Sequence, residues 1–277
     1  MPDRYAILEE LRLTPVWRLR ARVAEAGVIT ATESSVPAAA SDAATAPSAS
    51  APAVTSSAAT APSADSPPPA RSDRVARIAT LSWNEFAGDV AACTACGLCK
   101  TRQRAVPGVG DPHAQWLFVG EAPGAEEDSK GEPFVGQAGR LLDNMLAALA
   151  MKRGENVYIA NVLKCRPPGN RTPTPLESES CMPYLDRQIA LIKPTLIVAL
   201  GKSAASTLLN VDASIASLRG RVHRYRGVPL IVTYHPAYLL RNLPDKAKAW
   251  EDLCFARATM RAMQVGGDLQ SPAVAPK

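Results

Sequence analysis

The chain has 277 residues, with 31 Lys and Arg against 26 Asp and Glu, and six cysteines. No apolar run reaches the roughly 18 residues that a membrane span needs, and the N-terminus lacks the basic and then apolar pattern of a secretory signal. We therefore expect a cytoplasmic protein without membrane association, whose cysteines bind metal or are buried rather than form disulfides. Residues 71–277 carry 26 basic against 19 acidic side chains, a surplus that suits a polyanionic partner.

The N-terminal quarter of the chain differs in composition from the rest. Residues 1–28 are rich in Leu, Arg, Glu and Ala and predict a short helical segment. Residues 29–73 are mainly Ala, Ser, Pro and Thr, and such a composition buries too little apolar area to offset the entropy of ordering. We interpret them as a disordered linker, which would tether the N-terminal segment and any partner bound to it. Residues 74–265 are the predicted folded domain, and residues 266–277 a flexible tail.

Strands and helices alternate through the predicted domain. Short apolar runs predict strands, and longer segments with apolar residues at helical spacing predict helices. The predicted strands cover residues 116–119, 157–160, 195–200 and 230–233, and the predicted helices residues 74–92, 138–150, 176–193, 202–209 and 246–263. This alternation favours an α/β fold with a parallel sheet and helices on both faces.

A segment rich in glycine and acidic residues follows the first predicted strand. It runs from Gly120 to Asp128 and reads Gly-Glu-Ala-Pro-Gly-Ala-Glu-Glu-Asp. Glycine lets the backbone approach a ligand closely, and ligands of open α/β sheets bind at the carboxyl ends of the strands. The segment is therefore a candidate ligand loop; an ordinary strand-to-helix connection is the alternative.

The cysteines suggest a metal centre. Four of them form two widely separated pairs, Cys93 with Cys96 and Cys165 with Cys181. Four thiolates without a neighbouring His suit either a structural zinc ion or an iron–sulfur cluster, and the spacing does not distinguish the two. Cys99 is a rival ligand, because it follows Cys96 at the spacing that separates Cys93 from Cys96.

Three further side chains are candidates for a ligand pocket. Asn161 ends the second predicted strand, where its amide could read the edge of a base through a donor and an acceptor. His235 follows the last predicted strand and is placed to stabilise developing negative charge. Phe134, between Pro133 and Val135, is either a core residue or a surface on which a flipped base stacks.

Together these motifs resemble the iron–sulfur uracil-DNA glycosylases, the family-4 branch. The resemblance covers roughly residues 78–260 and has five motifs in order. They are Cys93-x-x-Cys96, Gly120-Glu-Ala-Pro-Gly124, Gly131-Glu-Pro-Phe-Val-Gly136, Asn161-Val-Leu-Lys-Cys165-Arg-Pro-Pro168 and His235-Pro-Ala-Tyr-Leu-Leu240.

The resemblance implies a fold, a cofactor and a reaction. The fold would be a three-layer αβα sandwich around a four-stranded parallel sheet, in a monomer. A 4Fe–4S cluster would be held by four cysteines but not by Cys99, and would order the loop that follows Arg166. The implied ligands are Cys93, Cys96, Cys165 and Cys181. The implied reaction is hydrolysis of the N-glycosidic bond of deoxyuridine in single- or double-stranded DNA, which leaves an abasic site for base excision repair.

The resemblance also assigns roles in the pocket. Phe134 would stack on the flipped uracil, and Asn161 would read its O4 and N3–H edge, beside Gly120 and Ala122 of the glycine-rich loop. His235 would donate a hydrogen bond to uracil O2 as negative charge develops there. Glu121 would hold the attacking water or stabilise the sugar cation, and Glu127 would fill the space at C5 and so disfavour thymine.

The contacts with DNA are implied in the same way. Leu239 or Leu240 would enter the base stack in place of the flipped nucleotide, with Arg241 next to it. Other DNA contacts would come from Lys202 and Ser203, after the third predicted strand, and from Arg166 beside the cluster.

Two positions depart from the better-known uracil glycosylases. They carry Asp where this chain has Ala122 and Tyr where it has Gly124, and an alanine cannot activate water. Two other function classes therefore stay open: a non-catalytic iron–sulfur DNA-binding module of replication or repair, and an iron–sulfur electron carrier. Asn161 and His235 speak against the first, since binding alone needs neither, and a large sheet around one cluster speaks against the second.

Overall fold

The computed structural model describes residues 70–266. The predicted N-terminal segment, the linker up to residue 69 and the tail after residue 266 lie outside the described residues. The first helix begins at Ala70, four residues before the predicted start of the folded domain. Within the described range, no helix combines the length and the apolar character needed to cross a membrane.

Six strands form one sheet. In chain order they are β1 (Val109–Gly110), β2 (Trp116–Gly120), β3 (Val157–Asn161), β4 (Leu196–Leu200), β5 (His223–Tyr225) and β6 (Val228–Thr233). Their spatial order is β1-β3-β2-β4-β6-β5. The four central strands are parallel, whereas β1 and β5 pair antiparallel with their neighbours at the two edges. The predicted four-stranded parallel sheet is thus the centre of a larger, mixed sheet.

Nine α-helices connect and cover these strands. They are α1 (Ala70–Thr80), α2 (Trp83–Ala92), α3 (Ala125–Lys130), α4 (Gln137–Ala148), α5 (Pro175–Ile192), α6 (Lys202–Leu209), α7 (Ile215–Leu218), α8 (Pro236–Leu239) and α9 (Asp245–Gln264) within the described residues. The helix predicted over residues 74–92 is two helices. Ser82 starts the second, where its backbone N–H donates to the Glu85 carboxylate at 2.8 Å, as in a capping box.

The sheet is buried on both faces, as a three-layer fold requires. Every residue of β2 is buried, and its side chains alternate between two cores. Leu117 and Val119 pack with residues of α1, α2 and α5, and Trp116 and Phe118 pack with residues of α4 and α9. The predicted α/β fold with helices on both faces is therefore confirmed, and the carboxyl ends of its central strands all open at one edge.

Candidate functional site: a pocket at the carboxyl edge of the sheet

The carboxyl edge of the central strands carries a pocket. Segments after β2, β3 and β6 contribute to it, together with the start of α4. The lining residues are Glu121, Ala122, Pro123, Gly124, Glu127, Phe134, Ala138, Asn161, Pro167, Asn170, Arg171, Thr172, His235, Ala237, Tyr238 and Arg241. The predicted pocket residues Asn161, Phe134 and His235, separated by up to 101 positions in the chain, are brought together here.

The inner wall of the pocket requires glycine at position 120. A Cβ on Gly120 would lie 2.7 Å from Phe134 Cζ and closer still to Asn161 Oδ1. Both side chains therefore touch the backbone of the last residue of β2, and a larger residue would displace them. This is the close backbone approach that the glycine-rich motif predicts.

Asn161 presents an unsatisfied acceptor. The residue is 2% exposed, and its Oδ1 atom is buried without a hydrogen-bond partner. Buried polar atoms in folded proteins are nearly always paired, and an exception needs an explanation. A ligand that donates an N–H group at this point would supply the missing partner.

Phe134 forms an aromatic wall and faces His235. The residue is 6% exposed, and the ring centroids of the two side chains are 5.4 Å apart with planes inclined by 32°. A flat heterocycle that enters the pocket can stack on this ring. The backbone of Phe134 is left-handed, with φ of 55°, which is uncommon for a residue other than glycine.

His235 is held as a neutral imidazole. Its Nδ1 accepts a hydrogen bond from the backbone N–H of Ala237 at 3.1 Å, at the N-terminus of α8. Burial, followed by the positive charge of Arg241, lowers the pKa of His235 to about 4. Because Nδ1 is an acceptor, the ring proton is on Nε2, and the imidazole can act as a hydrogen-bond donor to a ligand without carrying a charge.

Two carboxylates line the pocket and differ in what they bind. Glu127 accepts backbone hydrogen bonds from Gly124 through Oε2, at 3.1 Å, and from Val135 and Gly136 through Oε1, at 3.0 and 3.2 Å. It therefore ties the glycine-rich loop to the Phe134 loop. Burial raises the pKa of Glu121, and a hydrogen bond with Ser203 opposes that rise. Glu121 is thus bound by fewer groups of the protein than Glu127, whose carboxylate accepts three backbone hydrogen bonds.

The cysteines meet at a second, smaller cavity. Its lining includes Cys93, Cys96, Cys99, Cys165 and Cys181. Among residues 70–266, no group of three or more His, Cys, Asp and Glu side chains has the geometry to hold a single metal ion. Metal binding at this cysteine-lined cavity therefore stays a prediction.

Positive groups surround the cysteine sulfurs. Arg102 donates to Cys165 Sγ at 2.8 Å, and Arg74 lies 3.5 Å from Cys93 Sγ. The backbone N–H of Lys164 donates to Cys181 Sγ at 3.2 Å. Burial raises the pKa of the free Cys181 thiol, so that binding a metal at this sulfur must displace a proton. Donors aimed at the sulfurs would stabilise the thiolate ligands of a bound metal.

The comparisons with known proteins agree with this geometry. The family model of the uracil DNA glycosylase superfamily matches residues 107–254. The chain is 47% identical to a type-4 uracil-DNA glycosylase of Archaeoglobus fulgidus, over 57% of this chain and 83% of the relative. It is 44% identical to that of Pyrobaculum aerophilum, over 64% and 90%, and 48% identical to that of Thermotoga maritima, over 56% and 82%. The chain belongs to the type-4 uracil-DNA glycosylases.

The two leucines predicted to enter the base stack differ in exposure. Leu239 is 1% exposed and packs with Tyr234 and Ala249. Leu240, the next residue, is 39% exposed. Insertion of a leucine into the base stack stays a prediction, and the exposure of the two side chains favours Leu240.

The other DNA contacts predicted from the type-4 resemblance are spread around the pocket. Arg241 lines the pocket itself. Ser203 hydrogen-bonds to Glu121, and Lys202 pairs with Asp212 at 2.9 Å on the surface. Arg166 donates to Asn170 Oδ1 at 2.7 Å, which braces the loop after Cys165. These DNA contacts stay predictions.

Sequence reasoning missed part of the type-4 pocket. Pro167, Asn170, Arg171 and Thr172 line it, although the interpretation above gave the loop that follows Arg166 no part in the pocket. The run of Pro, Gly and Asn between two cysteines was the available signal for a structured loop. Arg171 and Glu177 form a two-point ion pair, with distances of 2.9 and 2.6 Å, at the end of this loop.

Proposed function

We propose that this protein excises uracil from DNA: it hydrolyses the N-glycosidic bond of deoxyuridine and leaves an abasic site, the first step of base excision repair. The observation that carries the proposal is the buried, unpaired Oδ1 of Asn161 at the pocket wall beside Phe134. Uracil is flat and carries an N3–H donor between two carbonyls. It can stack on the ring and supply the donor that Asn161 lacks.

Asn161 and Glu127 would select the base. A base must leave the helix to reach a pocket of this kind. Cytosine presents an unprotonated N3 to Asn161 Oδ1, and two acceptors facing each other in a dry site are unfavourable. Glu127 accepts hydrogen bonds from backbone N–H groups of the glycine-rich loop and the Phe134 loop. Its side chain would disfavour the thymine methyl by occupying the space at C5.

His235 would stabilise the leaving group. As the glycosidic bond breaks, the electron pair goes to the base, and negative charge develops on uracil O2. The neutral imidazole, with its proton on Nε2, would donate to that oxygen. A preorganised donor at a developing oxyanion contributes about 3–4 kcal/mol to catalysis.

Glu121 is our candidate for the residue that orients the attacking water and stabilises the sugar cation. Of the described residues that line the pocket, Glu121 and Glu127 are the carboxylates, and Glu127 is occupied by three backbone donors. Ala122 offers no oxygen. A carboxylate at Glu121 would orient the attacking water and stabilise the oxocarbenium-like sugar.

We propose that four cysteines hold a 4Fe–4S cluster, which would supply a rigid covalent link between distant segments. Cys165 follows β3, and Cys181 lies in α5. Between them runs the loop whose residues Pro167 and Thr172 line the base pocket. Fixing both cysteines would hold this loop against the pocket. Cys93 and Cys96 complete the proposed ligand set, and Cys99 stays outside it.

Release of uracil from a labelled oligonucleotide with one uracil, single- or double-stranded, tests the proposal under single-turnover conditions. We expect alkali-labile strand cleavage with the wild type and a loss of about 10²-fold or more in Asn161→Ala. Asn144→Ala, an exposed change on α4, is the matched control and should retain full activity. No release by the cluster-loaded wild type would refute the proposal and favour the non-catalytic DNA-binding module.

The low pKa of His235 predicts an unusual pH profile. With a pKa of about 4, the imidazole stays neutral as the pH falls from 8 to about 5, and it becomes protonated at Nδ1 only at lower pH. The single-turnover rate should therefore show no loss around pH 6.5, the ordinary range of His. An acid limb near pH 6.5 in the wild type that disappears in His235→Gln would contradict this prediction.

The exposure of Leu240 predicts a defect that depends on the duplex. Replacing Leu240 with Ala should lower uracil release from double-stranded DNA by about tenfold, because flipping costs a few kcal/mol and each 1.4 kcal/mol is a factor of ten. Release from single-stranded DNA should change much less. Leu239→Ala should instead destabilise the fold by about 2–5 kcal/mol. An equal loss on both substrates for Leu240→Ala would exclude insertion of Leu240 into the base stack.

An N-terminal interaction is also proposed, on sequence grounds. Residues 1–28 would bind a replication or repair partner at the end of the Ala- and Pro-rich segment. A chain that lacks residues 1–69 should keep its activity on oligonucleotides and lose partner binding in cells. Unchanged partner binding by this shortened chain would refute the proposal.

A further inference from the structure

The backbone of Phe134 is held in a left-handed conformation from two sides. Its φ is 55°, a region that L side chains rarely adopt and that the surrounding structure must enforce. On the pocket side, the Glu127 carboxylate accepts from the N–H groups of Val135 and Gly136. These contacts fix the residues after Phe134. They do not bind the carbonyl groups of Pro133 and Phe134, which need other partners.

Arg153 holds those carbonyl groups from outside the pocket. Its Nη1 donates to the Pro133 carbonyl at 2.9 Å, and its Nη2 donates to the Phe134 carbonyl at 2.8 Å. The planar guanidinium suits two acceptors at a fixed separation. Asp143 on α4 orients it, since Arg153 Nε donates to Asp143 Oδ1 at 3.0 Å. Neither Arg153 nor Asp143 lines the pocket.

The same carbonyl group packs tightly against α4. A Cβ on Gly139 would overlap the Phe134 carbonyl oxygen. The peptide at Phe134 is therefore confined by the backbone of α4 and by the two nitrogen donors of Arg153. Removing the guanidinium would leave one side of this confinement open, and the ring would be free to leave the position in which it faces His235.

We propose that Arg153, oriented by Asp143, is a positioning residue for base excision: it holds Phe134 in the strained conformation that presents the ring to the base. This inference rests on the proposed stacking role of Phe134. Arg153 would thus affect the reaction through Phe134 alone, without contact with the substrate.

A double-mutant cycle separates this role from a general effect on the fold. Arg153→Met, Phe134→Ala and the double variant are compared by single-turnover release of uracil from a single-stranded oligonucleotide. We expect Arg153→Met to lose about tenfold in rate in the wild-type background and nothing further in the Phe134→Ala background, because residues that act as a unit are not additive. Arg187→Met is the matched control, because Arg187 donates to the Leu81 carbonyl at 2.7 Å far from the pocket.

The outcomes are distinct. An unchanged rate in Arg153→Met, or the same loss with and without Phe134, would overturn the inference. If wild-type protein releases uracil and Phe134→Ala is unimpaired, the stacking role and this inference both fail while the proposed function stands. No release by the wild type would instead refute the proposed function. Should Arg153→Met fold poorly, Asp143→Asn provides a milder test, with a smaller loss that must likewise vanish in the Phe134→Ala background.

Discussion

His235→Ala is expected to slow uracil release by about 10²–10³-fold under single-turnover conditions. That is the cost of removing one preorganised donor from a developing oxyanion. The imidazole is fixed for this task before substrate arrives, because the Ala237 N–H binds Nδ1 and leaves the proton on Nε2. Substrate affinity should change far less than the rate, since O2 of uracil is less charged in the ground state.

The same substitution removes a helix cap, and the control must separate the two effects. His235 is the N-cap of α8, and loss of a cap destabilises a protein by about 1 kcal/mol. Asn is a good N-cap, but its amide is too short to reach the position of Nε2. His235→Asn should therefore keep the melting temperature and still lose the activity. His223→Ala, outside the pocket lining, should be active; full activity in His235→Asn would contradict the assigned role.

The central sheet and several pocket residues were predictable because their signals are local. Each central strand is a short apolar run; Asn161 comes directly after such a run, and His235 comes two residues after Thr233 of another. The carboxyl ends of parallel strands meet at one edge, which brings residues far apart in sequence together. The edge strands β1 and β5 were missed because two and three residues are too few to produce a periodic pattern.

The contacts that hold the pocket were not predictable in the same way. The sequence Pro-Phe-Val-Gly contains no sign that Phe134 adopts a left-handed conformation, which depends on Arg153, nineteen residues further on. Similarly, the sequence from His235 to Leu240 does not show that Leu239 is buried while Leu240 is exposed. In contrast, the break in the helix predicted over residues 74–92 had a local signal, Ser82-x-x-Glu85, which is typical of a helix start.

Removing one proposed cluster ligand should cause loss of the cluster and a large fall in stability. Cys181→Ala is expected to lose iron, sulfide and the visible absorbance of the cluster, and to lower the melting temperature by at least about 10 °C, since metal binding energy is folding energy. Cys181 is 9% exposed, in α5. Its loss would free one end of the loop that carries Pro167 and Thr172 to the pocket.

Two cysteine controls decide whether this effect is specific to the proposed ligands. Cys254→Ala changes a cysteine of α9, away from the cysteine-lined cavity, and should keep both iron and activity. Cys99 lines that cavity, yet Cys99→Ala should also keep about four iron atoms per chain if the ligands are the four proposed. If Cys99→Ala loses iron while Cys181→Ala retains it, Cys99 and not Cys181 would be the fourth ligand. One zinc ion and no iron in the wild type would refute the cluster, and the loop after Cys165 would then be held by a single ion.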